Sequence, residues 1–269
     1  MTKGTQHDRR WWTLGAVCLA SALVWLAATD VNIVLPIIAK EFHAKLASLQ
    51  WLVMGFTLAG VAVVAGGRMA DIYGRRRTLI IGIIFLGVPS VVAALSHSIG
   101  VMIACRGFMG LGAALILPAS LSIVSVSFEG AERKAALSIW IATIWFFQAL
   151  GPTVAWLVTS IGHWRWIFWD NLVFSVLALL VALWSMKGER VERIDEPFDL
   201  GGLVTLSTSL LLFMLTLTLW QSFSVGANIG IVVGGLLFLA LFLFMESPHA
   251  QTIQNRYAWT PSSYHGQGD

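Results

Sequence analysis

The chain has 269 residues, of which 57% are hydrophobic and only 12% charged, with a formal net charge of +3 and a mean hydropathy of +0.79. A soluble globule covers its surface with about 25% charged residues, so this composition excludes an ordinary water-soluble domain. The basic excess is small and sits between apolar runs, where it reports topology rather than nucleic-acid binding.

In chain order, residues 1–11 are polar and include Lys3, Arg9 and Arg10. A hydrocarbon core about 30 Å thick is crossed by about 20 apolar residues in a helix. Runs of that kind follow at Trp12–Ala39, Leu49–Met69, Thr78–Leu95, Ile99–Val124, Ala136–Ile161 and Trp164–Met186. After the charged segment 187–199 come two more, Leu200–Trp220 and Ile229–Met245. Their unbroken apolarity predicts helices rather than the alternating strands of a membrane barrel. The expected fold is an all-α integral membrane protein of about eight transmembrane helices. Six fall within residues 12–186 and two within 200–245. Residues 246–269 turn polar, contain Pro248 and Pro261, and are expected to form a disordered tail. The first run is too long for a cleaved signal and reaches Asp30 and Pro36 without a small-residue cleavage site, so it is expected to remain as a span.

The basic residues fall on one side. Lys3, Arg9 and Arg10 precede the first span; Arg75–Arg77, Arg133 with Lys134, and Lys187, Arg190 and Arg193 follow the second, fourth and sixth. The opposite loops hold only Lys40, Lys45 and Arg165. The positive-inside rule then places the N-terminus in the cytoplasm, and an even number of spans returns the C-terminus, residues 246–269, to the same side.

Two charges lie inside apolar runs. Asp30 sits in the outer third of the first span and Arg106 about two turns into the fourth, which runs the opposite way, so both are expected at similar depth. A charge there costs about 2.5–3.5 kcal/mol on insertion scales and marks an ion or proton site by default. Two arrangements are open, a direct Asp30–Arg106 pair or a shared water network. The bland alternative is a structural polar lock between helices. Gly107, Gly110 and Gly112 follow Arg106 and suit close helix packing. Trp25, Trp140 and Trp145 are read first as packing or lipid-facing residues, with cavity lining as the alternative. Cys18 and Cys105 lie within spans and read as small buried apolar groups. All six histidines lie in loops or tails, and no metal-ligand spacing, nucleophile elbow or phosphate-cradling loop occurs. No enzyme activity, metal or cofactor is therefore expected.

The stretch Gly66–Arg77 (GGRMADIYGRRR) places Asp71 at the end of the second span, with Gly74 and three arginines after it. Topology alone explains the arginines but not the aspartate and glycines at their spacing. Gly67-Arg-Met-Ala-Asp71-Ile-Tyr-Gly74-Arg75-Arg76 resembles the signature loop between helices 2 and 3 of the major facilitator superfamily. Asp30-Val-Asn-Ile-Val-Leu-Pro36 is similar to the helix 1 motif of its fourteen-helix drug:proton antiporter branch. Arg106-Gly-Phe-Met-Gly110 with Leu117-Pro118-Ala-Ser120 resembles the helix 4 motif. Gly151-Pro152 in the fifth run and Trp164-Arg-Trp-Ile-Phe168 with Asn171 complete the series. The sequence departs from the pattern at Met109, where the family usually has glutamine, and at Ala155-Trp156, where a glycine pair is usual, so the helix 5 antiport motif is degenerate.

The resemblance implies that residues 12–186 form an N-terminal lobe of two inverted three-helix repeats, and that 200–245 are an added helix pair. A weak internal echo, Ile33–Pro36 (IVLP) against Leu115–Pro118 (LILP), fits that repeat, though chance also explains it. It further implies a secondary transporter in a bacterial inner membrane, exporting small apolar or cationic compounds against protons. Asp30 and Arg106 would act in proton coupling, and Gly67, Asp71, Gly74, Arg75 and Arg76 in gating on the cytoplasmic face. Its partners would be the lipid bilayer, a small-molecule substrate and protons, with no nucleic acid. The fourteen-helix branch needs about six further spans of about 20 residues, so the expectation is a chain truncated before the second lobe. The alternative is a non-transporting half-transporter, or a subunit that pairs with a second lobe or chain.

Overall fold

The computed structural model describes residues 3–186, 200–220 and 224–258, and those residues form helices and short connections with no strand. Two units are distinct, 1–196 and 197–269. The first contains α1 (Lys3–Thr29), α2 (Val31–Glu41), α3 (Leu46–Gly60), α4 (Val63–Tyr73), α5 (Arg75–Leu95), α6 (Ile99–Ser127), α7 (Gly130–Ile161) and α8 (Trp166–Ser185). The second contains α9 (Leu200–Leu219) and α10 (Val225–Ala258). Among the described residues, α1, α5, α6, α7, α8 and α10 are each long and apolar enough to cross a membrane, and α3 with α4 makes a seventh span bent by 42°. The apolar part of α9 is Val204–Leu217.

Two expected single helices are broken. The run 12–39 divides at Asp30 into α1 and α2, and the run 49–69 divides at Val61–Ala62 into α3 and α4. At the second break Val61 and Ala62 donate to Leu58 and Ala59, three residues back, which tightens the turn and redirects the axis. At the C-terminal side, α10 runs past Met245 to Ala258 although residues 246–258 read as lacking helical period. A helix already nucleated by an apolar run adds one hydrogen bond per residue without a new nucleation step. Residues 259–269, like residues 187–199, lie outside the described residues.

Packing in the first unit follows a pseudo-twofold pattern. α1 packs on α7 and α8, while α6 packs on α3–α4 and α5. Exchanging the first three spans for the last three maps α1–α7 onto α6–α3/α4 and α1–α8 onto α6–α5. The pairs α1–α6 and α5–α8 map onto themselves. Three is an odd number of spans, so the second set must run inverted to the first.

Glycines set the closest seams around α6. A Cβ on Gly82 would lie 2.9 Å from the Gly112 carbonyl oxygen, and one on Gly112 would lie 2.7 Å from that of Gly82. The two backbones therefore meet where neither has a side chain. A Cβ on Gly55 would reach the Ile103 carbonyl at 3.4 Å, and one on Gly110 would collide with the Phe56 carbonyl, so α3 and α6 approach in the same way. Without a hydrophobic force between helices in lipid, such backbone approach is a main source of packing energy.

One end of this unit is closed by a polar cluster. Glu41 at the end of α2 accepts from Trp164 Nε1 and, at 2.7 Å, from Arg165 Nη1. Arg165 also donates to the Ser96 carbonyl at 3.3 Å and lies over the Trp164 ring, 4.3 Å from its centre. His163 Nε2 is 3.7 Å from Glu41. Partial desolvation alone would raise the Glu41 carboxyl. The Trp164 and Arg165 hydrogen bonds and the Arg165 charge outweigh it and hold the carboxyl below its ordinary value.

Removing the Glu41 charge tests this cluster. Glu41→Gln should destabilise the folded chain by about 1 kcal/mol, the upper range for a partly exposed pair, read from thermal unfolding in detergent. Because the folded carboxyl is depressed, that difference should be present at neutral pH and vanish as pH falls through the lowered value; a pH-independent difference would contradict the assignment. In the glycine seam, Gly112→Val should be worse, about 1–3 kcal/mol or more, as overpacking against backbone has no flexible partner to yield.

Candidate functional site

The candidate site starts from a missing backbone bond. The helical ladder is interrupted at Asp30, where α1 ends and α2 begins. Asp30 N–H still donates to Leu26, but Ile33 turns back to the Asp30 carbonyl, three residues away, instead of Thr29. Pro36, inside α2, has no N–H and removes one further rung. In hydrocarbon the freed carbonyls need other donors. Arg106 Nη1 donates to the Ala27 carbonyl at 2.5 Å, and Asn32 Nδ2 donates to that of Thr29 at 3.3 Å.

Arg106 thereby joins three helices. From α6 it reaches Ala27 on α1 and, through Nε at 3.2 Å, the Leu52 carbonyl on α3. Its guanidinium lies 4.7 Å from the Phe56 ring centre, a cation–π contact that is stronger away from water. The side chain is fully buried. A lysine cannot reproduce this, since the planar fork is what lets one charge serve two carbonyls.

Asp30 is 5% exposed and its Oδ2 accepts from Asn171 Nδ2 at 2.8 Å, with Asn171 itself fully buried on α8. Within 4.0 Å, the described ion pairs are those of Glu41, so Asp30 and Arg106 do not form a direct bridge. They share the same stretch of α1 instead: the guanidinium binds the carbonyl one turn before the carboxylate, close enough for their charges to interact. Gly151 packs on this level from α7, where a Cβ would strike Thr29 Oγ1. Pro152 beside it is half-buried. Trp140 is a packing residue that donates from Nε1 to Ser21 Oγ at 2.8 Å, whereas Trp145 is exposed. Among the described residues no three His, Cys, Asp or Glu side chains gather as a metal site.

The signature-loop residues form a separate place. Gly74 joins α4 to α5 with φ of 95°, a left-handed conformation that favours glycine. A Cβ on Gly67 would stand 3.6 Å from Pro118 of α6. Asp71, Arg75 and Arg76 are half-buried, and Arg76 Nη2 donates to the Leu183 carbonyl at 3.5 Å, in the last turn of α8. An arginine in the first turn of α5 opposes that helix's dipole, while the C-terminal end of α8 attracts it. This loop lies at the opposite end of α5 from Ser96 and the Glu41 cluster.

Sequence reasoning singled out Asp30 and Arg106 and missed the partner that touches Asp30. Asn171 was visible as an amide in an apolar run, and the cost of burying an unpaired amide was the signal that it has a partner.

A family model described as the Major Facilitator Superfamily matches residues 17–262. The chain is 30% identical over 244 residues to the tetracenomycin C resistance and export protein of Streptomyces glaucescens, covering 90% of this chain and 45% of that one. It is 36% identical over 213 residues to the lincomycin resistance protein of Streptomyces lincolnensis, covering 76% and 43%. It is also 36% identical over 192 residues to the multidrug resistance protein Stp of Mycobacterium tuberculosis, covering 71% and 36%. The chain spans less than half the length of each of these relatives.

Removing the guanidinium leaves the Ala27 carbonyl buried without its donor, at about 1–3 kcal/mol. Arg106→Leu should therefore speed amide exchange around residues 27–33 more than elsewhere in α1. Unchanged exchange there would show that Arg106 does not hold the interruption.

Proposed function

Because this chain belongs to the major facilitator superfamily, we propose that its first unit is a lobe of a proton-coupled exporter of small apolar or cationic compounds, with Asp30 as the coupling carboxyl. The observation that carries this reading is the environment of Asp30. It is a buried carboxyl, beside an interrupted helix, with an amide donor and no ion-paired cation in contact among the described residues. An acid so placed is free to gain and lose a proton, whereas one locked to a guanidinium is held ionised. Arg106 then acts as a fixed charge that keeps the ionised form tolerable, since it cannot shed its own proton.

The names of similar proteins support the direction and the cargo class: one is called a resistance and export protein and another a multidrug resistance protein. In this reading the membrane is the bacterial inner membrane. The N-terminus and the loops with Arg75–Arg77 and Arg133–Lys134 face the cytoplasm, and α9 and α10 are an added helix pair. The Gly74 loop then lies on the cytoplasmic face, with Gly67 and Gly74 allowing the tight turn and packing. Asp71, Arg75 and Arg76 supply charges for a contact that breaks and reforms as the transporter alternates.

The test is proton-driven efflux of a lipophilic cation such as ethidium in proteoliposomes. Asp30→Asn should abolish the component of flux that responds to the proton gradient while Arg76→Ala only slows it. Gradient-driven flux that survives Asp30→Asn unchanged would remove Asp30 from the coupling role.

A further inference from the structure

The hydrogen bond between Asn171 and Asp30 uses only half of each group. Asn171 Nδ2 donates to Asp30 Oδ2 at 2.8 Å, yet Asp30 Oδ1 and Asn171 Oδ1 are both buried and have no partner. A purely structural tie between α1 and α8 has no use for a second buried oxygen on each side, because two acceptors cannot satisfy each other. One added proton changes that. A carboxylic acid and a carboxamide are both planar forks, and swinging about the existing bond brings the second arms side by side. The acid's O–H then donates to the amide oxygen while the amide N–H keeps donating to the acid.

We propose that Asn171 is the positioning residue that registers whether Asp30 carries a proton, a reading that rests on Asp30 being the coupling carboxyl. In the ionised state one hydrogen bond joins α1 to α8. When a proton arrives from the aqueous side an O–H bond forms at Asp30 Oδ1, the carboxylate charge is neutralised, and the second hydrogen bond closes the ring. Release breaks that O–H bond and returns the proton to water, leaving the single bond. The seam between α1 and α8 is thus tighter when Asp30 is neutral. Among the described residues, the side chain hydrogen-bonded to Asp30 is that of Asn171, and an amide offers both a donor and an acceptor. Arg106, on α6, engages the Ala27 and Leu52 carbonyls through Nη1 and Nε and keeps Nη2 buried without a partner, but it offers donors only and so cannot accept the O–H of a protonated Asp30. Asp170, next to Asn171 on α8, is the other charged side chain near Asp30. From α7 the neighbour at this level is Gly151, which brings no charge.

The experiment is infrared difference spectroscopy between acid and neutral pH on the whole chain in nanodiscs, with carbon-13 aspartate and Asp30→Asn identifying the Asp30 band. In the wild type the protonated C=O stretch of Asp30 should lie in the hydrogen-bonded range. In Asn171→Leu it should move to higher wavenumber, with a shifted titration midpoint. Asn171→Ser, whose hydroxyl can complete one of the two bonds, should fall between, and it decides the matter if the leucine variant does not insert. A band whose frequency and midpoint are the same in both variants as in the wild type would overturn the role of Asn171 while leaving Asp30 as a proton site. The absence from the wild type of any titrating band that Asp30→Asn removes would instead overturn the coupling reading, and this inference with it.

Discussion

The interruption of the first span at Asp30 is the constraint on which the rest of the lobe depends. A helix in hydrocarbon satisfies its own backbone, so a break exposes carbonyls that something must meet. Arg106 meets the one at Ala27, and to do so α6 must lie close to both α1 and α3. The glycines make that possible. Gly55 and Gly110 bring α3 and α6 together beside the guanidinium, and Gly82 with Gly112 seats α5 on the other face of α6. A buried cation, a broken helix and a close-packed seam are therefore one device.

The same geometry separates two roles that a simple ion pair would merge. Arg106 holds backbone carbonyls of two other helices through Nε and Nη1, contacts that do not involve the Asp30 carboxyl, while its Nη2 is buried without a partner. Asp30 is left with an amide neighbour and an unpartnered oxygen. A fixed positive charge nearby and a neutral contact partner are the conditions under which a carboxyl can change state without the helices around it coming apart. At the two ends of the lobe the charges behave differently. Glu41, Arg165 and Trp164 are locked to one another, whereas Arg76 makes one long bond to a helix end. In the second unit, two buried hydroxyls also find backbone partners. Ser209 donates to Gly235 across the hairpin, and Thr216 donates to Leu212 within its own helix.

Much of this was legible in the residues. Run lengths located the apolar helices, and the expected cost of burying charge singled out Asp30 and Arg106. Among the described residues, six helices and the bent α3–α4 pair are long enough to span a membrane, while the apolar part of α9 is shorter. The repeat suggested by IVLP and LILP has its counterpart in the exchange pattern of helix packing. What the sequence hid was backbone chemistry. Nothing in Ala27 or Leu52 marks their carbonyls as the ligands of Arg106, because any residue has a carbonyl. The break at Val61–Ala62 falls on ordinary helix-compatible residues, and the one at Asp30 precedes the visible breaker, Pro36. Asn171 was legible as a polar group in an apolar run, but its partner across the bundle depends on the crossing of α1 and α8. The helical continuation to Ala258 was missed because composition reports polarity, while helix propagation depends on the segment already formed.

A coupling carboxyl must exchange its proton when cargo binds, and the coupling role proposed for Asp30 can be tested in a single binding step. A lipophilic cation is added to the purified chain in weakly buffered nanodiscs, and released protons are read with a pH indicator. Proton release from the wild type should saturate with the cation and be missing from Asp30→Asn, with cation binding by the variant checked separately. Equal release from wild type and Asp30→Asn would contradict a coupling role for Asp30.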